Sequence, residues 1–371
     1  MYYNEKISRI VRSHPYFYYI GGMFLATRII LLITGYLSHT LNHGRSFASL
    51  ADLMGMWNVW DTYWYLGIAQ SGYTTATNSV GMANYAFFPL YPTLIRLVSL
   101  VTGDYLLSGL IVSNVCLLIA CVYLYKYVAY DTDETTAMRS VKYLFLFPTA
   151  FIFSAALTES LFLALALICL YYAKKGNWQV AGIIGFFVAL SRPPGVIIAL
   201  PMAYEYLKRY GVRTPRPDFL LLLLPPIGLS VYAAYNFYLT GDPLAFMHIQ
   251  ATWGGRLTLP PIEVWRRLTI ESGWAVAGTI YTIVALALMV ICIRKVDFTA
   301  WLFGVLLILI PLFTPQSSYS MIRYVAVVFP LFIILGKMSK DRRVDAVLMI
   351  VLGATQIIFM AMWTTWSPLI I

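Results

Sequence analysis

The sequence is a succession of long apolar segments separated by short groups of charged residues. Hydrophobic residues make up 60% of its 371 residues and charged residues only 11%, too little polar surface for a soluble protein of this length. The apolar segments are continuous rather than alternating, and inside a bilayer such segments satisfy their own backbone groups as helices. These features predict an all-α polytopic integral membrane protein.

The basic clusters between the apolar segments set the predicted topology. Because the positive-inside rule places basic loops in the cytoplasm, an even number of crossings must separate neighbouring clusters. Every lysine falls in one of six such clusters: Lys6 to Arg12, Lys126 to Lys142, Lys174 and Lys175, Lys208 to Arg216, Arg294 and Lys295, and Lys337 to Arg343. The N-terminus is then cytoplasmic and, if the chain is prokaryotic, the protein lies in the cell membrane.

The apolar segments and the even number of crossings between neighbouring basic clusters predict eleven transmembrane helices. They are formed by residues 17–38, 104–128, 142–156, 160–173, 178–190, 194–207, 219–239, 274–293, 298–313, 324–338 and 344–365. Three longer segments without lysine fall on the extracytoplasmic face: residues 39–103, 240–273 and 314–323. Residues 85–101 of the first segment are interrupted by prolines and predict an interfacial helix. No internal repeat or soluble region is apparent, so residues 1–371 are interpreted as one domain.

Two predicted hairpins place charged residues at the outer face. One turns near Glu159, and the other turns at Ser191-Arg192-Pro193, where successive prolines cannot continue a helix. Helices of about 15 residues reach only about 23 Å, which is less than the ~30 Å hydrocarbon core. Both turns are therefore expected to line a wet cavity that opens outward.

Asp61 is the most distinctive acidic residue, because it lies in the aromatic sequence Trp57-Asn58-Val59-Trp60-Asp61-Thr62-Tyr63-Trp64-Tyr65. Two interpretations stay open. The aromatic residues can form a membrane-interface belt, with Asp61 capping a helix. Alternatively, a carboxylate that is partly desolvated by aromatic rings can act as a general base.

Three other charged residues are candidates for the same site. Glu159 between two apolar segments needs either a partner or a function. Arg192 and Arg323 are suited to bidentate contact with a phosphate, and the alternative is that they form salt bridges with Glu159 or Asp61.

Other classes of site have little support in the sequence. The histidines lack metal-ligand spacing, so neither a metal nor another cofactor is expected. The four cysteines lie inside apolar segments and are interpreted as core residues. No loop combines basic residues with an aromatic stacking platform, which argues against nucleic acid as a partner.

Several motifs occur in the same order in a known family. They are Trp60-Asp61 with Trp64-Tyr65, Gly72-Tyr73, Ala86 to Pro92, Thr158-Glu159-Ser160, Ser191 to Gly195, the stretch from Gly241 to Trp253, and Arg323-Tyr324 before Phe329-Pro330. In these motifs the chain resembles the PIG-V family of lipid-linked mannosyltransferases, which adds the second mannose in GPI-anchor assembly. The resemblance covers nearly the whole chain.

The resemblance implies a GT-C glycosyltransferase fold and an inverting transfer of a hexose, most simply mannose. The implied donor is a dolichyl-phosphate-like polyprenyl-phosphate sugar. The acceptor stays unassigned, with a glycolipid, a lipid-linked glycan or another acceptor in the membrane as candidates. Asp61 matches the family's catalytic aspartate. Glu159 is predicted from its position as a second catalytic residue, which would hydrogen-bond the acceptor or orient a neighbouring arginine. The remaining predicted site residues would bind the donor or acceptor: Arg192, Arg323, Trp60, Trp64, Tyr65, Tyr91, His248, Gln250 and Trp253.

Two other functions stay open at this stage. A lipid or solute transporter, such as a flippase, would also need intramembrane charges and broken helices. A non-enzymatic membrane scaffold would not need outward-facing charges such as Glu159 and Arg323.

Overall fold

The computed structural model describes residues 15–44, 46–79, 81–212, 216–253, 257–271, 273–313, 320–365 and 367. Within these ranges no strand occurs, and the α-helices are α1 (Pro15–His43), α2 (Leu50–Gly55), α3 (Thr62–Ser71), α4 (Leu90–Thr102), α5 (Tyr105–Asp131), α6 (Glu134–Leu146), α7 (Glu159–Lys175), α8 (Trp178–Ala189), α9 (Ala199–Tyr210), α10 (Leu224–Thr240), α11 (Ala245–His248), α12 (Pro260–Thr269), α13 (Gly273–Ile291), α14 (Phe298–Leu309), α15 (Met321–Val325), α16 (Pro330–Met338) and α17 (Arg342–Thr364). The basic cluster from Lys6 to Arg12 and most of the segment 314–323 lie outside the described residues.

Four helical segments are long and apolar enough to cross a membrane: Pro15–His43, Tyr105–Asp131, Pro217–Thr240 and Arg342–Thr364. The chain is therefore an integral membrane protein built from helices. The predicted number of eleven spans is not confirmed, because several of the corresponding helices are short, such as α8 with 12 residues. The segment predicted as an interfacial helix, residues 85–101, contains most of α4, which begins directly after Pro89, and its position relative to the membrane stays a prediction.

One predicted span, residues 142–156, is wrong in its extent. Helix α6 ends at Leu146, and the chain continues through a 3₁₀ turn at Ala150–Ser154 before α7 begins. Pro148 is the physical reason, because a proline pushes the preceding residue out of the helical region. Phe147 accordingly has an extended conformation, with φ −60° and ψ 140°.

Polar side chains from distant helices satisfy the backbone carbonyls at this break. The Gln356 side-chain amide donates to the carbonyls of Phe145 and Phe147 at 2.8 and 3.0 Å. Arg28 Nη1 donates to the carbonyl of Ala150 at 3.2 Å. Non-helical backbone at membrane depth is tolerated where protein surrounds it and supplies such partners, so the break is stable and delivers Glu159 to the start of α7.

Helix α7 is the central helix, and it packs against α5 and α8. Glu159 is its first residue, whereas Lys174 lies at the other end and pairs with Asp131 and, at 2.9 Å, with Asp297. A helix rises 1.5 Å per residue, so the two charged ends are separated by about 23 Å. The predicted cytoplasmic lysines Lys174 and Lys175 thus lie at the end opposite Glu159.

Candidate functional site

A strained turn presents Asp61 at the start of α3. Trp60 has a φ of 55°, the only positive value at a non-glycine residue among those described. Such backbone conformations cost roughly 1–3 kcal/mol and are found at functional sites. The indole of Trp363 donates to the carbonyl of Met56 at 2.9 Å and so anchors the turn to the end of α17.

Asp61 occupies the N-cap position of α3, but its side chain makes no capping hydrogen bond. The capping interpretation of Asp61 is therefore wrong in this structure. The carboxylate turns instead to Arg323, whose Nη2 lies 2.7 Å from Asp61 Oδ2.

Four predicted charged residues meet in one network, called here the charged cluster: Asp61, Glu159, Arg192 and Arg323. Besides its contact with Asp61, Arg323 places Nε 3.2 Å from Glu159 Oε1. Arg192 Nη1 lies 3.1 Å from the same oxygen. The arginines thus form the salt bridges that the sequence left open as an alternative, and two carboxylates balance two guanidinium groups.

Burial differs sharply between the two carboxylates of the charged cluster. The Glu159 side chain is only 2% exposed, whereas that of Asp61 is 31% exposed. Glu159 Oε2 has no hydrogen-bond partner among the described residues. The predicted open, wet cavity around both hairpin turns is therefore wrong, because protein covers Glu159 and both arginines. Asp61 is the member of the cluster that a substrate can approach.

Local structure fixes the two partners of Glu159. Arg192 lies between α8 and the 3₁₀ turn Pro193–Ile198, which packs so closely that a Cβ on Gly195 would lie 2.1 Å from the carbonyl oxygen of Val188. Tyr324 lies beside both guanidinium groups, with its ring centre 5.2 Å from that of Arg192 and 5.5 Å from that of Arg323. These contacts hold the arginines in place.

Tyr65 is the aromatic residue that belongs most closely to the charged cluster. It follows Asp61 by four residues, so both occupy the same side of α3. Burial, and to a lesser degree the charge of Asp61, raises the pKa of the Tyr65 hydroxyl, which therefore stays protonated. Trp64 stacks on Phe87, with ring centres 5.5 Å apart. Trp60 is half-buried at the turn.

Tyr91 has a packing role in this structure instead of the predicted place on a ligand-binding surface. Its side chain is fully buried. Its hydroxyl donates to the carbonyl of Gly109 at 3.0 Å and shares a hydrogen bond of 2.7 Å with Ser113. Tyr91 thus attaches α4 to α5 beneath the first loop.

The second predicted outer segment, residues 240–273, contains a polar contact between two of its own side chains. His248 Nδ1 lies 2.6 Å from Asp242 Oδ2, and this hydrogen bond lowers the pKa of the Asp242 carboxyl. The described contact of His248 thus stays within its own loop and does not reach the charged cluster. Gln250 is half-buried in a 3₁₀ turn, and the side chain of Trp253 lies outside the described structure.

Two residues at or near the site were not singled out from the sequence. Tyr324 was recognised only as part of a motif, although its ring contacts both arginines. Arg28 is buried in α1 and donates at 2.7 Å to Ser154, in the turn that precedes Glu159. An arginine in the middle of a predicted span was the available signal, because charges inside membranes are rare.

No group of three potential metal ligands converges in the part of the chain that the structure describes. The absence of a metal requirement stays a prediction. Asp61 is instead the member of the charged cluster that is exposed enough to accept a proton, and Arg323, 2.7 Å away, is the nearest group that could pair with an anion.

A match to a known protein family covers one part of the chain. Residues 87–224 match dolichyl-phosphate-mannose-protein mannosyltransferases. The match covers less than half of the chain and includes Glu159 and Arg192, but neither Asp61 nor Arg323. It agrees with the glycosyltransferase part of the predicted resemblance, whereas membership of the PIG-V family stays a prediction. No curated protein matches the chain.

Solved structures of an oligosaccharyltransferase from Archaeoglobus fulgidus show a distant likeness. The complex with zinc and sulfate has 12% sequence identity and a TM-score of 0.42, covering 91% of this chain and 53% of that chain. The archaeal oligosaccharyltransferase AglB, in complex with an inhibitory peptide and a dolichol-phosphate, has 11% identity and a TM-score of 0.45, covering 93% and 56%. The chain spans about half the length of these proteins.

Proposed function

We propose that the chain is an inverting GT-C glycosyltransferase that uses a polyprenyl-phosphate sugar donor. It transfers a hexose, with mannose as the first candidate, to a lipid-linked glycan or other acceptor at the extracytoplasmic face. One observation carries the proposal: residues from four distant segments form a charged cluster that has one accessible carboxylate, Asp61. The match of residues 87–224 to dolichyl-phosphate-mannose-protein mannosyltransferases supports the donor class.

In this proposal Asp61 is the general base. It accepts the proton of an acceptor hydroxyl as that oxygen forms a bond to the anomeric carbon of the sugar. The bond between the anomeric carbon and the phosphate oxygen breaks, and polyprenyl phosphate leaves with the electron pair. A single displacement from the opposite side inverts the anomeric configuration. General-base catalysis of this kind contributes typically 10²- to 10⁴-fold.

Arg323 has a double role in the proposal. Its guanidinium neutralises the charge that develops on the departing phosphate, and arginine suits this because it binds phosphate through two parallel hydrogen bonds. In this structure the same guanidinium lies 2.7 Å from the Asp61 carboxylate. A donor phosphate therefore competes with Asp61 for Arg323, and donor binding frees the carboxylate to act as a base.

Glu159 is a positioning residue in this scheme. One of its oxygens lies within 3.2 Å of both arginines, and it holds them at the head of α7. Tyr65, with its protonated hydroxyl, and the stacked Trp64 supply polar and apolar surfaces for the sugar or the prenyl chain.

The test uses purified protein in proteoliposomes with radiolabelled polyprenyl-phosphate mannose, glucose and galactose and with membrane glycolipids as acceptors. We expect transfer from one of these donors with inversion of the anomer. Asp61→Asn should lower turnover by about 10²- to 10⁴-fold. The matched control is Asp52→Asn, which changes an exposed carboxylate of the same outer segment and should leave turnover unchanged.

The affinity for the donor distinguishes two roles of Asp61: competition with the donor phosphate for Arg323, and a purely structural role. Asp61→Asn should bind the donor at least as tightly as the parent, because the amide competes more weakly for Arg323. Weaker donor binding in Asp61→Asn would contradict the competition. Movement of the intact sugar lipid across the bilayer without transfer would support a flippase instead.

A further inference from the structure

A cavity lies at the end of the molecule opposite the charged cluster. It has a volume of about 450 Å³ and is formed where α1 begins, α5 and α7 end, and α6 begins. Its walls carry two lysines, four tyrosines and one carboxylate: Lys126, Lys175, Tyr16, Tyr125, Tyr130, Tyr171 and Glu134. None of these residues belongs to the proposed glycosyltransferase site.

The two lysines are held by aromatic rings. Lys126 Nζ lies 5.1 Å from the centre of the Tyr123 ring, and Lys175 Nζ lies 4.9 Å from that of Tyr171. The described structure gives neither ammonium group a salt bridge. The neighbouring Lys174, in contrast, is paired with Asp131 and Asp297 and does not line the cavity.

The charge of the cavity favours an anion. With two lysines against one carboxylate, that of Glu134, the cavity walls carry a net positive charge. Basic pockets between transmembrane helices bind the head groups of anionic lipids. Each lysine near the lipid phosphate adds to the binding free energy, as it does at the surface of an anionic membrane.

A path for an acyl chain leads away from the cavity along α5. Ile111, Val115 and Ile119 are exposed and follow each other at intervals of four residues, so they form one apolar stripe. The same side of the helix continues to Lys126 and Tyr130 at the cavity. A phosphate with an attached hydrocarbon chain therefore fits this surface better than a free phosphate does.

We propose that this cavity binds the head group of an anionic phospholipid, such as phosphatidylglycerol, with an acyl chain lying along the stripe on α5. The site is independent of the proposed sugar transfer, and under the predicted topology it faces the cytoplasmic leaflet. Lys126 and Lys175 contact the phosphodiester, and the tyrosines surround the glycerol.

The test measures lipid retention on the purified full chain by native mass spectrometry in detergent that contains equal amounts of phosphatidylglycerol and phosphatidylcholine. The parent should retain phosphatidylglycerol selectively. Lys126→Gln with Lys175→Gln should weaken its affinity roughly tenfold or more. The matched control is Lys295→Gln with Lys340→Gln, which removes two exposed lysines outside the cavity and should change affinity less than about twofold.

Three results would overturn the proposal: equal retention of both lipids by the parent, an equal loss in the control pair, or competition by soluble glycerol phosphate at concentrations that match the lipid. The last result would identify a free-phosphate site instead. Lys175→Gln alone provides a milder variant, and the buried cysteines should stay unreactive towards thiol reagents in every folded variant.

Discussion

Removal of the negative charge on Glu159 tests whether the charged cluster stabilises the fold. Glu159 Oε1 lies 3.1 Å from Arg192 Nη1 and 3.2 Å from Arg323 Nε, inside the protein. With an effective dielectric constant of about 20, each contact has a Coulomb energy of about 5 kcal/mol before desolvation. Breaking a buried pair leaves uncompensated charge and costs about 3–5 kcal/mol. Glu159→Gln should therefore lower the free energy of unfolding by about that amount.

A double-mutant cycle isolates the contribution of the pair. Arg192→Gln removes the opposite charge, so the double variant Glu159→Gln/Arg192→Gln restores neutrality and leaves the contact between Asp61 and Arg323. We expect the double variant to be more stable than the sum of the single effects predicts, with a coupling energy of about 2 kcal/mol.

Four buried cysteines provide the assay for these variants. Cys116, Cys121, Cys169 and Cys292 are all buried and free, so a thiol reagent labels them only as the protein unfolds. Labelling during equilibrium unfolding in mixed micelles gives the free energy of each variant. Asp242→Asn is the control, because exposed ion pairs contribute little. The reasoning would be refuted if Glu159→Gln were as stable as this control, or if the double variant showed simple additivity.

Three further predictions concern other parts of the chain. Hydrogen bonds from Thr136 to the side chain of Asp133, the N-cap residue of α6, lower the pKa of the Asp133 carboxyl. The charged carboxylate should therefore stabilise α6 at pH values above the unfolded pKa of about 3.9. This stabilisation should be lost as pH falls through the lower folded pKa. Asp133→Ala should accordingly cost about 1 kcal/mol at pH 7, and less as pH falls through the folded pKa, in unfolding experiments. Gly195→Ala should abolish activity and lower thermal stability, unlike Gly67→Ala, where a Cβ has open space. An impermeant thiol reagent added outside should label Tyr63→Cys but not Gln179→Cys, and the reverse would contradict the predicted topology.

Hydropathy and charge were sufficient to predict the helical class and most helix positions. The predicted hairpin residues Glu159 and Arg192 do meet, because both lie at breaks that place them at the same end of the central helices. The meeting of Asp61 with Arg323 could not be derived from spacing, since it depends on how α3 and α15 pack. Charge reasoning left a salt bridge of Arg323 with Asp61 open only as one alternative.

Other features depend on tertiary structure that a pattern does not reveal. The positive φ of Trp60 occurs in a turn that is anchored to α17, and the Asp61 carboxylate contacts Arg323 instead of capping α3. Tyr91 appears in an aromatic motif, and only the packing of α4 on α5 shows that its hydroxyl is already engaged. Helix α6 ends at Leu146 because Pro148 restricts the backbone conformation of Phe147. A hydropathy pattern does not include this restriction.

The length of α7 determines how deep the charged cluster lies. Its 17 residues span about 25 Å, whereas the 29 residues of α1 and the 27 of α5 span about 43 and 40 Å. Tyr16 and Asp131 lie beside the lysine-bearing end of α7, so the additional turns of α1 and α5 project beyond Glu159 at the other end. Under the proposed function, a lipid phosphate that reaches Arg323 would descend below the plane of its neighbours' head groups. The protein would then set the depth of the proposed transfer, and its guanidinium groups would replace the hydration that the phosphate loses.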